Sequence, residues 1–539
     1  MPLTAPRPFL RIPPFPGHRA PCLTEPGIGA CDPEALTKAL RAARVGGSFW
    51  AAQPVLAKGR RLLLAPDDKA QLAVMLTEAG SRGLTVLPPP GIAVPAGADR
   101  LASECDPWWL ADQADEVWCG AGQELALVCA LAGTPLRIFG DGPFAGCAAT
   151  PEIAAAAACN MAFRCPFTGS EWDIFAAIAQ LADWRRLIDA NRAITAVLGV
   201  AAWKRVSVSA MLWSGSGQVP YSRGIARSES SQGLTVVWKS RTSRQVLDRL
   251  AASGGPVGEI EDGFIRSAGL GANCVPPLSV IVDRSGIYFD PSQPSDLETL
   301  LETFPLDPSL RSRASALKER LVQESVSKYG QGGVAIARPA DGRRRVLVTG
   351  QVEDDRSILS GGAGQTNLDL IRRTRELEPD AWIIYKPHPD VEAGHRKGHV
   401  PESEALRFAD EVRRDDGIVP LIESVDALHV ITSLAGFEAL LRGKEVTAHG
   451  TPFYAGWGLT RDLAPVPERR SRQLSVDDLV ALTLLIYPRY FDPVTRLPCP
   501  AEIVVERMAK GQGRMTSPLI RLREWQGRLR LLWRRLAGV

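Results

Sequence analysis

The chain has 539 residues, enough for three or four units of ordinary domain size, and 63 Lys and Arg against 60 Asp and Glu leave a net charge of only +3, which gives no ground for nucleic-acid binding. Its ten cysteines contain no CxxC pair and no Cys/His spacing for zinc, so no metal is expected, and scattered thiols of this kind suit a reducing cytoplasm. The first thirty residues lack the apolar core of a signal peptide and no apolar run approaches transmembrane length, so a soluble or peripheral cytoplasmic protein is expected.

Residues 1–190 are best read by comparison with the rest of the chain. Shifted by 310 positions, AGTPLRIFGDGPFAGC (132–147) falls on RGKEVTAHGTPFYAGW (442–457), matching Gly133, Gly140, Ala145 and Gly146 to Gly443, Gly450, Ala455 and Gly456. In that register Gln123 stands at Ser433, Val128 at Glu438 and Cys147 at Trp457, and residues 60–110 hold no His-Pro pair. The segment 1–190 is therefore read as a degenerate remnant, a partial Rossmann-like half that has lost its ligand site.

Residues 191–340 form the next unit. AITAVLGVAAWKRVSVSAML (193–212) reads as an apolar helix, LTVVWKS (234–240) as a strand, VLDRLAAS (246–253) as a helix and PVGEIEDGF (256–264) as a strand ending at Glu261 and Asp262. VPPLSVIVDRSGIYFD (275–290) reads as a hairpin turned at Arg284, Ser285 and Gly286, and 294–329 as helical. Glu261 or Asp262 can serve as a base on an acceptor hydroxyl, and Arg266 can grip a carboxylate in a two-pronged pair; a buried ion pair holding the strand end is the equal alternative.

From 341 to 515 the β-rich runs RRVLVTG, AWIIYKP and ALHVITS alternate with the helical patterns LDLIRRTRELEP and LAGFEALLRGK, which predicts a parallel Rossmann-like sheet. Its polar clusters fall at the carboxyl ends of the strands, where such sheets bind ligands. Gln351 ends the first strand. Lys386 and His388, held extended by Pro387 and Pro389, offer a cation and a donor to a phosphate. Thr432 and Ser433 precede a helix start that suits an anion, Gly436 lies in its first turn, and Glu438 can accept the two hydroxyls of a ribose. Gly361, Gly362 and Gly364 can cradle an anion, and Tyr454 and Trp457 are read as pocket walls.

The succession GQVEDDRSI, YKPHPDV, TSLAGFEALLRGK and PFYAGWGLT, with EIEDGFIRS upstream, resembles the KpsC family of capsule polysaccharide proteins over roughly residues 195–510. The resemblance implies an α/β protein of GT-B glycosyltransferase fold, with 191–340 on the acceptor side and 341–515 binding CMP. It implies a retaining β-Kdo transferase with CMP-β-Kdo as donor substrate, no further cofactor, and a lipid-linked Kdo oligosaccharide as acceptor. By the same resemblance Asp355 is the nucleophile, with Asp354 its local rival. The family has Trp-Gly where this chain has Trp238-Lys239; its members commonly carry two active modules, and because 1–190 reads as a remnant, this chain departs from that pattern with a single working module expected.

The last segment, 516–539, is a basic amphipathic pattern with Leu522, Trp525, Leu529, Leu532 and Leu536 on one stripe, suited to an anionic membrane surface or, as the near-equal alternative, to packing on the module; with the resemblance it implies the cytoplasmic face of the inner membrane and a capsule biosynthesis or export complex. A transferase using another nucleotide sugar and a non-catalytic capsule assembly protein are the alternatives.

Overall fold

The runs RRVLVTG, AWIIYKP and ALHVITS form the strands Arg345–Thr349, Trp382–Lys386 and Ala427–Val430. In the computed structural model, which describes residues 8–515 apart from 21–22, 27–31, 59–60, 103, 148, 159–160, 223–232, 268–273, 328–329, 332–335, 337–341, 395 and 514, these are adjacent strands of a six-stranded sheet. The expected helix within 516–539 lies outside the described residues. The sheet runs 411–412, 382–386, 345–349, 427–430, 445–448, 461–462, and every pairing is parallel. Counted along the chain the order is 3-2-1-4-5-6, so the winding reverses between 345–349 and 427–430, and the crevice at their carboxyl ends is where such a sheet binds ligands.

Local sequence explains the elements. Val346, Val348, Ile383 and Tyr385 are buried because a central parallel strand is covered on both faces. The helix Asn367–Leu377 starts at a capping box between Thr366 and Asp369 and turns Leu370, Ile371 and Thr374 inward. Burying each large aliphatic side chain contributes about 1.5–3 kcal/mol.

A second sheet of seven strands runs 221–222, 194–198, 234–237, 257–262, 279–283, 489–491, 498–499. Three sequence expectations are corrected here. The stretch 193–212 is not one helix: Ile194–Leu198, rich in β-branched residues, is a strand, and only Arg205–Leu212 is α-helical. The hairpin at 284–286 does not form. Ser279–Asp283 pairs antiparallel with Val257–Asp262 instead, because the Asp283 carboxylate accepts the backbone N–H of Ser285, Gly286 and Asp296 and the Tyr487 hydroxyl, turning the chain away. Finally, Arg489–Phe491 returns to pair with Ser279–Asp283, so the end of 341–515 belongs to this sheet.

Contacts divide the chain into two units, one of Met1–Ile194 with Ser209–Pro220 and Val494–Pro498, the other of Thr195–Val208, Tyr221–Pro493 and the segment from Cys499. Apart from the end residues Ile194 and Pro498, both sheets above belong to the second unit. The first unit has its own parallel sheet, ordered 99–100, 84–86, 62–65, 116–120, 136–139. Its chain order, 3-2-1-4-5, is that of the first five strands of the six-stranded sheet.

Two histidines, His429 and His449, are buried against each other. Nδ1 of His429 and Nε2 of His449 lie 3.0 Å apart and share one hydrogen bond. Burial, with the neighbouring ring and Arg461, pushes His429 down to about 3; burial, with Arg373 and Arg461, pushes His449 down to about 4. The unfolded chain takes up these protons near pH 6.5 and the folded chain only near 3–4. Stability is therefore full above about pH 6.5 and falls toward pH 4, at up to about 1.4 kcal/mol per pH unit for each ring. Melting temperatures taken from pH 7.5 to 4.5 should show this loss, and His449→Gln should flatten it.

Candidate functional site

The switch-point crevice is bridged by Gln351. Its Oε1 accepts from the Thr432 backbone N–H at 2.8 Å and its Nε2 donates to the Thr432 hydroxyl at 3.2 Å. Asn367, missed in the sequence, holds Gln351 in place: its Oδ1 accepts the Gln351 N–H and its Nδ2 donates to the Gln351 and Gly398 carbonyls. Beyond Gln351 the three acids separate in role. Glu353 accepts the Asn367 N–H at 2.8 Å, and Asp354 pairs with Arg396 at 3.1 Å. Asp355 caps the helix Arg356–Gly361, accepting the Ser357 hydroxyl at 2.8 Å, yet its side chain is 52 % exposed. Arg396 reaches it at 4.0 Å.

His388 stands on the adjacent strand end and caps the short helix that Pro389 begins, its Nδ1 accepting the Asp390 N–H at 3.1 Å. Burial lowers its pKa, opposed by the nearby charges of Asp390 and Asp355. Lys386 is nearly buried and donates to the Arg414 carbonyl at 3.0 Å; burial lowers its pKa against the pull of Asp416 and Asp415. Ser433 caps the helix Leu434–Leu441 through the Ala435 N–H. Glu438, one turn further, is only 8 % exposed. Gly364 has a left-handed φ of +72° and open space beside it, as the end of a turn requires.

The reading of Tyr454 and Trp457 as pocket walls is corrected: both are fully buried. The Tyr454 hydroxyl donates to the Ser433 carbonyl at 2.5 Å, and the Trp457 indole N–H donates to the Phe453 carbonyl at 2.8 Å. Gly436 is required by the same packing, since a Cβ there would strike the Tyr454 hydroxyl. Tyr454 thus packs against the start of the helix that Ser433 caps.

On the seven-stranded sheet Asp262 is held between two cations. Lys204 Nζ lies 3.1 Å from it and Arg266 Nε 2.8 Å. Burial would raise the Asp262 carboxyl, but Lys204 and Arg266 outweigh it and hold it below the usual range, while burial brings Lys204 down to about 8 against the pull of Asp262. Arg266 is 1 % exposed and also donates to the Ser267 hydroxyl and the Val275 carbonyl, so it is the ion pair at the strand end and not a clamp for a ligand carboxylate. Glu261 is half-buried beside it, with one carboxylate oxygen accepting the Asp262 N–H. Sequence reasoning missed Lys204 because it lies 58 residues from its partner.

It also missed the contact that joins the two sheets. Glu259, buried in the strand Val257–Asp262, pairs with Arg356, the residue after Asp355, and with Lys239 at 2.8 Å. Arg356 also lies over the Phe289 ring at 4.9 Å. The one available signal was a glutamate between Gly258 and Ile260 in the middle of the strand Val257–Asp262.

A family model described as capsule polysaccharide biosynthesis protein matches residues 235–329 and 309–490. Thermosulfurimonas dismutans KpsC, beta Kdo 2,4 transferase, is 31 % identical, with 58 % of this chain and 97 % of that one covered and a TM-score of 0.50. The chain belongs to the KpsC-like family of capsule polysaccharide biosynthesis proteins. Other KpsC-like relatives are capsule polysaccharide modification protein LipA of Neisseria meningitidis serogroup B, 37 % identical over 75 % of this chain and 61 % of that protein, and lipopolysaccharide-processing protein LpsZ of Rhizobium meliloti, 46 % identical over 47 % and 59 %. The chain spans about three fifths of the length of these curated relatives. Among the described residues no helix is long and apolar enough to cross a membrane.

The equivalent edge of the N-terminal unit is filled by its own side chain. The Asp67 carboxylate accepts the Gly122 N–H at 2.9 Å and the Gln123 amide at 2.9 Å, and the helix Glu124–Ala132 has no side-chain cap from Gln123. Val128 and Cys147 are buried.

Proposed function

We propose that this chain is a retaining β-Kdo transferase that moves Kdo from CMP-β-Kdo to a lipid-linked Kdo acceptor, with its two larger sheets arranged as a GT-B pair. The observation that carries the reading is an exposed carboxylate, Asp355, at the switch-point edge, beside Arg396 and near enough to His388 for its charge to act on it. The similarity to a beta Kdo 2,4 transferase supports it.

In this reading Asp355 attacks the anomeric carbon, the bond from that carbon to the phosphate oxygen breaks, and CMP departs with the electron pair. A phosphate is already a weak base, so cations serve it better than a proton donor; Lys386 and Arg396 supply them, His388 offers a neutral N–H, and Ser433 and Thr432 stand at the helix start. Glu438 receives the ribose hydroxyls. An acceptor hydroxyl then displaces Asp355 from the opposite face and gives its proton to a base. Glu261 suits that part better than Asp262, whose pKa is held low by Lys204 and Arg266. Membrane attachment through 516–539 and a place in a capsule assembly remain part of the proposal.

The N-terminal unit is taken as a remnant without a donor site, because the Asp67 carboxylate occupies the amide that a phosphate would need and repels one. Calorimetry should give one CMP per chain, with UDP and GDP binding at least about 10-fold more weakly, a gap of about 1.4 kcal/mol. Two equivalent CMP sites would refute the remnant, and a preference for UDP or GDP would refute the donor.

A further inference from the structure

The seven-stranded sheet has a switch point of its own. Its first five strands, counted from Ile194–Leu198, are ordered 2-1-3-4-5, so the winding reverses between 194–198 and 234–237. In a sheet so ordered, ligands enter the crevice at the carboxyl ends of those two strands. A cavity of about 430 Å³ lies there, lined by Gly199, Arg205, Ser222, Arg241, Thr242 and Ser243 among others, with no acidic residue among the described residues of its lining. That volume falls within the range of small-molecule sites.

Its chemistry is that of an oxyanion site. Neither Arg205 nor Arg241 pairs with a carboxylate among the described residues, whereas Arg244, a few residues on, does. The Arg205 Nε is buried with no hydrogen-bond partner among the described residues, and its guanidinium is steadied over the Tyr221 ring at 4.4 Å. Ser243 precedes the helix Arg244–Ser253 without using its hydroxyl to cap it. Gly199, at a φ of +75°, lets the loop after the first strand close on Trp238 and Thr242; a Cβ there would meet both at 2.6 Å. The walls are thus brought together by backbone geometry, and two guanidiniums without carboxylate partners are left facing the space between them.

We propose that this cavity holds an oxyanion of the acceptor, its Kdo carboxylate or the phosphate that joins it to lipid, and so anchors the acceptor away from the reacting hydroxyl. The proposal rests on the transferase reading above, but the site can be tested without turnover. Calorimetry on the full chain with free Kdo and, separately, glycerol 3-phosphate should show binding of at least one. Whichever binds names the source of the oxyanion. The double variant Arg205→Gln, Arg241→Gln should weaken that binding by about 10–100-fold, as loss of charge-assisted hydrogen bonds does, and raise the acceptor KM similarly. CMP affinity and melting temperature should stay as in the parent chain, which separates a lost acceptor site from a lost donor site or a lost fold. If neither probe binds, or the double variant binds both as the parent does, the proposal is overturned. Failure of transfer with retained probe binding would sink the transferase reading alone.

Discussion

Asp355→Asn is expected to lower kcat by at least about 10³-fold while leaving CMP binding within about 3-fold of the parent, as removal of a covalent nucleophile does. The choice of Asn matters. Asp355 also caps the helix Arg356–Gly361, and Asp→Ala at a helix start costs about 1 kcal/mol, so an alanine variant would mix a loosened helix with a lost nucleophile. Asn caps as well as Asp, so the Asn variant should melt where the parent melts. The parent given donor alone should gain the mass of one Kdo on the peptide holding Asp355, and the Asn variant should not. Full activity in Asp355→Asn would remove Asp355 from the chemistry and return attention to Asp354, which is held by Arg396.

The second large effect is expected at Glu259, which touches no substrate in this account. It grips Arg356 from the other sheet, so it fixes the helix whose first turn Asp355 caps. Glu259→Ala should lower kcat by about 10²-fold, the order of loss that a 1 Å misplacement of a reacting group produces, with donor KM little changed. A stability loss accompanies it. Breaking a buried pair costs about 3–5 kcal/mol when a charge is stranded, but Lys239 and Arg356 each keep about a third of their surface, so the loss should fall at or below the low end. A structural role alone would lower the melting temperature and leave kcat of the folded fraction intact. Glu259→Asp, which keeps the charge on a shorter arm, should recover part of kcat.

What the sequence made legible follows from the range of the interactions concerned. The three adjacent strands 345–349, 382–386 and 427–430 were readable because their β-rich runs end in turns and alternate with helical patterns, all local signals, whereas 411–412, 445–448 and 461–462 carry too short a run to be read. The helix start at Ser433 is legible for the same reason, whereas the short helices capped by Asp355 and His388 are not, because Pro387 and Pro389 read equally well as holding an extended loop. The stretch 193–212 misled because AITAVL satisfies both an apolar helix and a buried strand, and only its neighbours in the sheet decide. Tyr454 and Trp457 misled because an aromatic residue in a turn has the same composition whether it lines a pocket or fills a core. Glu259 with Arg356, and Lys204 with Asp262, were invisible because charges meet there across 97 and 58 residues of chain.

The most direct measurement is the anomeric outcome of one turnover. CMP-β-Kdo and a soluble Kdo acceptor, followed by NMR with the purified chain, should yield one new Kdo in β linkage, because two inversions at the anomeric carbon restore the donor's configuration. An α-linked product, or no transfer from CMP-β-Kdo by a chain that binds CMP, would contradict the account.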